Sequence, residues 1–217
     1  MTRRRGFTMV ELLVVMTIMV ILMAIVLPGI FMGKGAADKA VARNLITGLE
    51  TGISAWEGHY GGPPPSTFAA LKQCKNDSGG TPWKALQTPT NDSNEGIECL
   101  LLALMTDEGG VAPFELKDDQ IENLDDDRVG GVAKYEFGDK ANEAVDPWGN
   151  PYVYIHHSQY GQKVRVKLGD AGVGRVVDVQ AQKSEKTGGY YNKRGYQVFS
   201  LGPDSDPGTA DDIGNWK

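Results

Sequence analysis

The sequence predicts an α+β protein in which one long N-terminal helix precedes a head of short helices, loops and a small antiparallel sheet. Residues 12–32 contain no charged side chain, and residues 41–56 carry apolar residues at helical spacing. After residue 132, turn residues divide the chain into short alternating segments. The 217 residues have a net charge of −6, which argues against nucleic-acid binding because such surfaces are basic.

The apolar segment 12–32 follows a short basic group, Arg3 to Arg5. As a helix it would extend about 31 Å at roughly 1.5 Å per residue, which is enough to span a bilayer core. We expect the basic group to stay cytoplasmic, so that the chain after Met32 lies across the membrane. A secretory signal peptide fits less well, because the segment is long and Ala24, its only alanine, stands in no A-x-A pattern. A plain single-span anchor remains an alternative.

Glu11 stands at the start of this apolar segment, four residues after Phe7. An unpaired carboxylate at this depth costs about 2–3 kcal/mol, so it needs a partner. No basic residue lies near it on the apolar side. The α-amino group of a neighbouring copy would serve as that partner if the chain were cut between Gly6 and Phe7.

Residues 5–13, Arg-Gly-Phe-Thr-Met-Val-Glu-Leu-Leu, resemble the class III leader of type IV pilins and type II secretion pseudopilins. The resemblance implies that prepilin peptidase removes the leader 1–6 by cutting after Gly6 and then N-methylates Phe7. It also implies that Glu11 pairs with the Phe7 amine of an adjacent subunit during assembly.

The same resemblance implies a type IV pilin fold for the whole chain. Residues 7–33 would be the transmembrane and filament-core half of the helix, residues 34–58 its amphipathic half, and residues 59–217 a periplasmic head. Pro28 matches the proline before which the helix loosens in pilin filaments, and a proline also removes one helical hydrogen bond.

The second half of the helix is expected to pack against the head. Its apolar stripe recurs at spacings of four and three, which is the pattern of an amphipathic helix. The stripe consists of Val41, Leu45, Leu49, Ile53 and Trp56. Gly58 and the glycines and prolines of 61–65 are expected to end the helix.

The head is expected to contain two short helices and several strands. The helices are predicted at 66–71, with Ser66 as the cap, and at 94–105. The strands are predicted at 134–137, 152–156, 163–168, 175–179 and 195–200. The third and fourth of these strands would form a hairpin, and one face of the antiparallel sheet would cover the helix stripe. Cys74 and Cys99 either pair, closing a loop worth roughly 3 kcal/mol, or remain buried free thiols.

Two acidic segments raise the question of a cation. Asp118, Asp119 and residues 125–127 form an acidic run, for which a solvated loop is favoured over a weak cation site. The C-terminal loop 200–216 places four aspartates within nine positions, spaced by glycine and proline: Asp204, Asp206, Asp211 and Asp212. Hard oxygen ligands in a flexible loop suit Ca²⁺, and a disordered acidic tail is the alternative.

Residues 146–152, 199–204 and 208–216 together resemble the major pseudopilins of type II secretion. The resemblance implies that the C-terminal loop binds a structural Ca²⁺. The ligands carried over by motif are the carboxylates of Asp204, Asp211 and Asp212 and the carbonyl of Leu201. Asp206 stands where the family usually has another residue.

Taken together, these features indicate a filament subunit. We expect it to be non-enzymatic, because no G-x-S-x-G, H-E-x-x-H or zinc-ligand spacing occurs in the sequence. The resemblance implies a subunit of the bacterial inner membrane that polymerises into a helical homo-oligomer, a periplasmic filament that drives protein secretion. Its implied partners are prepilin peptidase, the inner-membrane assembly platform and minor pseudopilins. The alternatives are a type IV pilin or minor pilin for adhesion, motility or DNA uptake, and a single-span anchor that carries a periplasmic binding domain.

Overall fold

The computed structural model describes residues 8–76, 78–106, 114–132, 137–169, 172 and 174–216, without the side chains of 26–33. The chain divides into two compact units, Met1–Ala40 and Val41–Lys217. The predicted leader 1–6, Phe7 and most of the strand predicted at 134–137 lie outside the described residues.

Helix α1 spans Met9–Tyr60, a length of 52 residues, and confirms the long N-terminal helix. Its backbone stays helical through Pro28. The end was predicted two residues too early, since Gly58 is still helical. The chain leaves the helix at Gly61, whose φ of +75° favours glycine and whose amide still donates to the Glu57 carbonyl at 2.9 Å.

In the part of the chain that the structure describes, no helix combines the length and the apolar character required to cross a membrane.

The apolar stripe of α1 is largely confirmed, with one residue wrong. Leu45, Leu49, Ile53 and Trp56 are buried, whereas Val41 is 48% exposed. Each step of four residues turns a helix by about 400°, so positions predicted at that spacing drift by about 40° per step. Val41 therefore lies at the edge of the face, and the buried set is completed instead by Ala42 and Ile46.

Two short helices of the head pack onto this stripe as part of one core. Helix α2 covers Phe68–Leu71, and its cap is Thr67, whose hydroxyl accepts from the Ala70 amide. The prediction of Ser66 as the cap was wrong, because the Ser66 hydroxyl instead accepts from the His156 amide at 3.1 Å. Helix α3 covers Glu95–Met105 and is buried from Ile97 to Met105, as predicted.

The strands that the structure describes are antiparallel, as predicted, but form three small sheets rather than one. The described strands are β1 (Ile121–Glu122), β2 (Glu143–Ala144), β3 (Val153–His156), β4 (Val164–Lys167), β5 (Val176–Val179), β6 (Tyr196–Ser200) and β7 (Ile213–Gly214). β1 pairs with β2, β4 with β5, and the central sheet has the order β3-β6-β7. The predicted hairpin is confirmed, with Val164 opposite Val179.

Both faces of the central sheet are buried, since alternate residues of a strand point to opposite sides. Tyr154 and Val198 belong to the core that contains the helix stripe and α3. Val153, Ile155 and Phe199 belong to a second core shared with the β4–β5 hairpin. The sheet therefore covers the stripe, as predicted, and is itself covered on its other face.

Candidate functional site

The predicted processing residues, Gly6 and Phe7, lie outside the described part of the chain. The next residues form the start of α1. The carboxylate of Glu11 accepts hydrogen bonds from the amide and the hydroxyl of Thr8, both at 2.9 Å, and the Glu11 amide donates to the Thr8 hydroxyl at 3.2 Å. This reciprocal capping box gives Glu11 a partner within its own chain. The Thr-x-x-Glu spacing of residues 8–11 is the sequence pattern of such a box, and a prediction based on charged partners alone does not include it.

The beginning of α1 exposes its apolar side chains on all sides. Every large apolar side chain from Met9 to Ile25 is between 47% and 92% exposed. Five of them, residues 12–16, are consecutive, and at about 100° per residue they surround the helix completely. The hydroxyl of Thr17 donates to the Leu13 carbonyl at 2.8 Å and so needs no outside partner. An apolar surface of this extent indicates contact with lipid or with other protein.

The C-terminal loop is attached to the turn that begins at Asp146. The hydroxyl of Ser200 donates to the Asp146 carboxylate at 2.6 Å, and the side-chain amide of Asn150 donates to the Ser205 hydroxyl at 2.8 Å. Burial raises the pKa of Asp146, although hydrogen bonds from the Ser200 hydroxyl and from the backbone amides of Asn150 and Trp148 oppose the shift. The sequence segments 146–152 and 199–204, which carry the resemblance, are therefore neighbours in space.

Within the loop, two turns lie against each other. The Asp204 amide lies 3.4 Å from a carboxylate oxygen of Asp211, and a side chain at Gly202 would meet the Asp211 carbonyl at 2.7 Å. Burial raises the pKa of Asp211, but hydrogen bonds from Thr209 and Asp204 outweigh it and lower the pKa overall. The loop thus favours the charged form of Asp211, which is the form that binds a cation.

The remaining predicted ligands differ in their surroundings. Asp212 is buried and accepts from the Gly208 amide at 2.9 Å. The side chain of Leu201 is buried in the second core. The carboxylate of Asp206 pairs with the Arg175 guanidinium, so Asp206 is the least suitable of the proposed ligands.

Among the described residues, a second group of acidic side chains lies inside the head, and its members are close enough together to bind one metal ion. It consists of Glu98, Asp125 and Glu143, with one oxygen of each within 4.8 Å of the others. Asp127 lies beside them and is buried, as are Glu98 and Glu143, whereas Asp125 is half-buried with both carboxylate oxygens inaccessible. The sequence-based preference for a solvated loop was therefore wrong for Asp125 and Asp127. Asp118 and Asp119 are exposed, as that interpretation required.

Burial and mutual repulsion control the ionisation of this group. Burial raises the pKa of Glu98 well above its ordinary value, and the charges of Asp127 and Glu143 raise it further. Burial raises the pKa of Glu143 to about 8, and burial together with Asp125 raises that of Asp127 to about 7. Ionised acids are costly here unless a positive charge accompanies them.

Cys74 and Cys99 are free thiols, which is the second of the two alternatives left by the sequence. Cys99 is fully buried and Cys74 is half-buried. Burial raises the pKa of both thiols, so neither is a reactive thiolate at neutral pH.

Comparisons with known proteins agree with the geometry of the helix. The family described as the prokaryotic N-terminal methylation motif matches residues 1–27. The type II secretion system core protein G of Escherichia coli (strain K12) is 25% identical over 217 residues, covering 99% of this chain and 92% of the relative. The core protein G of Aeromonas hydrophila is 25% identical over 214 residues, covering 99% and 93%. No solved structure matches the chain.

The methylation motif, the long helix and the antiparallel head together support a type IV pilin-like protein. Within that class, the chain is similar along almost its whole length to core protein G of type II secretion systems.

Proposed function

We propose that the chain is a structural, non-enzymatic subunit of a type II secretion pseudopilus. The observation that carries the proposal is the apolar surface around the first part of α1, within the residues that the methylation motif matches. A soluble protein leaves no such surface in water, because apolar area is worth roughly 25 cal/mol per Å² when it is removed from water. Lipid covers this surface before assembly, and the same segment of other copies covers it in the filament.

Maturation prepares the chain for both environments. Prepilin peptidase cuts after Gly6, which removes three arginines, and N-methylates Phe7. The subunit is stored in the inner membrane through residues 7–33, with the head 59–217 in the periplasm. The assembly platform and minor pseudopilins then act on it during polymerisation, and growth of the filament moves secreted proteins outward.

Glu11 has two partners in turn under this proposal. In the single subunit its carboxylate accepts from Thr8, which lessens the cost of placing a charge at the edge of the membrane. In the filament the Phe7 amine of a neighbouring copy provides the opposite charge that Thr8 lacks. A charge-assisted hydrogen bond is stronger than a neutral one, so the exchange favours the polymer. Loosening of α1 near Pro28 belongs to the same step.

We also propose that the loop 200–216 binds a structural Ca²⁺ through Asp204, Asp211, Asp212 and the Leu201 carbonyl. The donor set fits this ion, since it consists of oxygens only and its two turns are adjacent. Asp206 fits less well, because its carboxylate pairs with Arg175. Bound Ca²⁺ compensates the carboxylates and holds the two turns together.

The mass of the N-terminal peptide of the mature protein tests the proposed function. A peptide that begins with N-methylated Phe7 is expected. A Gly6→Leu variant, which alters only the cleavage position, is expected to keep its leader and to form no filaments. A mature wild-type protein that retains residues 1–6 and stays monomeric in the bilayer would refute the pseudopilus.

A further inference from the structure

Three acidic side chains from distant parts of the chain meet inside the head. Glu98 lies on α3, Asp125 lies in the loop after β1, and Glu143 lies on β2. One oxygen of each lies within 4.8 Å of the other two. These separations in sequence are long, so the fold as a whole holds the three carboxylates close despite their repulsion.

Glu98 is the residue that most requires a ligand. It is 1% exposed, and neither of its carboxylate oxygens has a hydrogen-bond partner among the described residues. Both oxygens are buried in the same region as those of Asp125 and Asp127. A buried carboxylate without a hydrogen bond is strongly unfavourable, and native structures normally satisfy such a group with protein, water or an ion.

Glu143 is held in a defined position by two donors. The Asn94 side-chain amide donates to one of its oxygens at 2.7 Å, and the Leu124 amide donates to the other at 3.0 Å. Asn94 itself is held in place, because its side-chain oxygen accepts from the Lys167 amide at 2.9 Å. Glu143 therefore has little freedom to move away from Glu98 and Asp125.

Basic side chains do not balance these acids. Arg128 pairs with Asp139, and Arg165 pairs with Asp92. The charge of Lys167 acts favourably on Asp125, but one ammonium does not balance four carboxylates. In the described ranges, no ion pair is formed by any of the four acids.

We propose that Glu98, Asp125 and Glu143 bind one Ca²⁺ ion inside the head, with Asp127 beside it. Two oxygens bound to the same Ca²⁺ at 2.3–2.6 Å are separated by at most about 5.2 Å, so oxygens within 4.8 Å already fit. The donors are hard oxygens alone, which suit this cation rather than zinc or copper. The ion joins α3 to β2 and to the loop after β1, and it is separate in sequence from the loop 200–216.

Calorimetric titration of the full chain in detergent micelles with CaCl₂, after removal of divalent ions, tests the site. The variant Glu98→Gln keeps the shape of the side chain and removes its charge. The matched control is Glu95→Gln on the same helix, whose side chain lies outside the cluster and accepts from the Phe68 amide. Asp211→Asn removes a ligand of the proposed C-terminal site.

The wild type and Glu95→Gln are expected to bind two Ca²⁺ ions, and Glu98→Gln and Asp211→Asn one each. If the internal site binds Ca²⁺ and the C-terminal loop does not, the wild type and Asp211→Asn both bind one ion and Glu98→Gln binds none. If Glu98→Gln binds as many ions as the wild type, the internal site is overturned while the proposed filament role stands.

Thermal unfolding of the same proteins provides a second readout. Without Ca²⁺, Glu98→Gln is expected to melt at a higher temperature than the wild type, because it removes one of the carboxylates that crowd together inside the head. Added Ca²⁺ is expected to raise the melting temperature of the wild type by more than that of Glu98→Gln. Asp125→Asn is expected to behave in the same way. An equal rise in all three proteins would overturn the proposal.

Discussion

Gly96 stands at a close approach between α3 and the central sheet. A β-carbon added there would lie 2.1 Å from the Tyr154 carbonyl oxygen, about 1.3 Å inside ordinary contact at roughly 3.4 Å. The neighbour is backbone in the middle of β3, where Tyr154 pairs with Val198, so it is unable to rotate away. Replacing Gly96 by alanine must therefore move α3 away from β3.

The cost of that movement follows from the packing around the helix. Inserting a methyl group into a close-packed core usually costs about 1–3 kcal/mol. The obstacle at Gly96 is backbone rather than a flexible side chain, so we expect about 3 kcal/mol. For a chain of this size that loss lowers the melting temperature by roughly 6–12 °C.

Urea unfolding of the full chain in detergent micelles, followed by tryptophan fluorescence, measures this loss. Trp56 and Trp83 are both buried, so their emission reports on the core. The control is Gly58→Ala in α1, where an added β-carbon meets nothing within 4 Å. Alanine there is expected to stabilise the protein by about 0.5–1 kcal/mol. If Gly96→Ala unfolds within about 0.5 kcal/mol of the wild type, the close approach of α3 and β3 is refuted.

Three further predictions concern the helix and one histidine. Leu49→Ala is expected to lower the free energy of unfolding by about 3 kcal/mol, because Leu49 is fully buried. Val41→Ala, at an exposed position, is expected to lower it by less than about 1 kcal/mol. Urea unfolding measures both changes. Burial lowers the pKa of His156 from 6.5 to about 4, so the unfolded chain binds the extra proton, and the wild type is expected to lose stability as the pH falls from about 6.5 to 4. Melting of His156→Gln across that range is expected to be flatter. Glu11→Gln is expected to assemble poorly and Thr8→Ala normally, as counted by electron microscopy of filaments, since only the first loses the charge.

Each of these predictions has a contradicting result. Equal losses for the two helix variants would mean that the stripe is not buried as a face. Unchanged pH dependence in the histidine variant would place the lost stability elsewhere. Normal filaments from Glu11→Gln would show that the capping contact with Thr8, rather than the charge, accounts for this residue.

Local sequence patterns predicted the elements whose stability is local. The span of α1, the buried helix α3 and the β4–β5 hairpin all appear near their predicted positions. Helical spacing and strand alternation extend over only a few residues, so they can be read from a single segment. The same reasoning misplaced Val41, because a four-residue spacing drifts around the helix and only the position of the head decides which edge is covered.

Candidate sites that are continuous in sequence could likewise be predicted, whereas the site formed by distant residues could not. The methylation motif and the acidic C-terminal loop are continuous in sequence, and both were found there. The internal acids were not found, because Glu98 is 27 positions from Asp125 and 45 from Glu143. The sequence pattern predicted a solvated loop at Asp125 and Asp127, because it does not indicate which charged side chains tertiary packing will bury.

The amino-acid sequence alone determined that this chain has an apolar helix with a carboxylate at its start and a head rich in turns. Tertiary structure alone decided that the central sheet is covered on both faces and that carboxylates from α3, β2 and an intervening loop meet away from water. The physical reason is range: backbone conformation and side-chain periodicity act between near neighbours, whereas burial and charge repulsion depend on where distant segments come to rest.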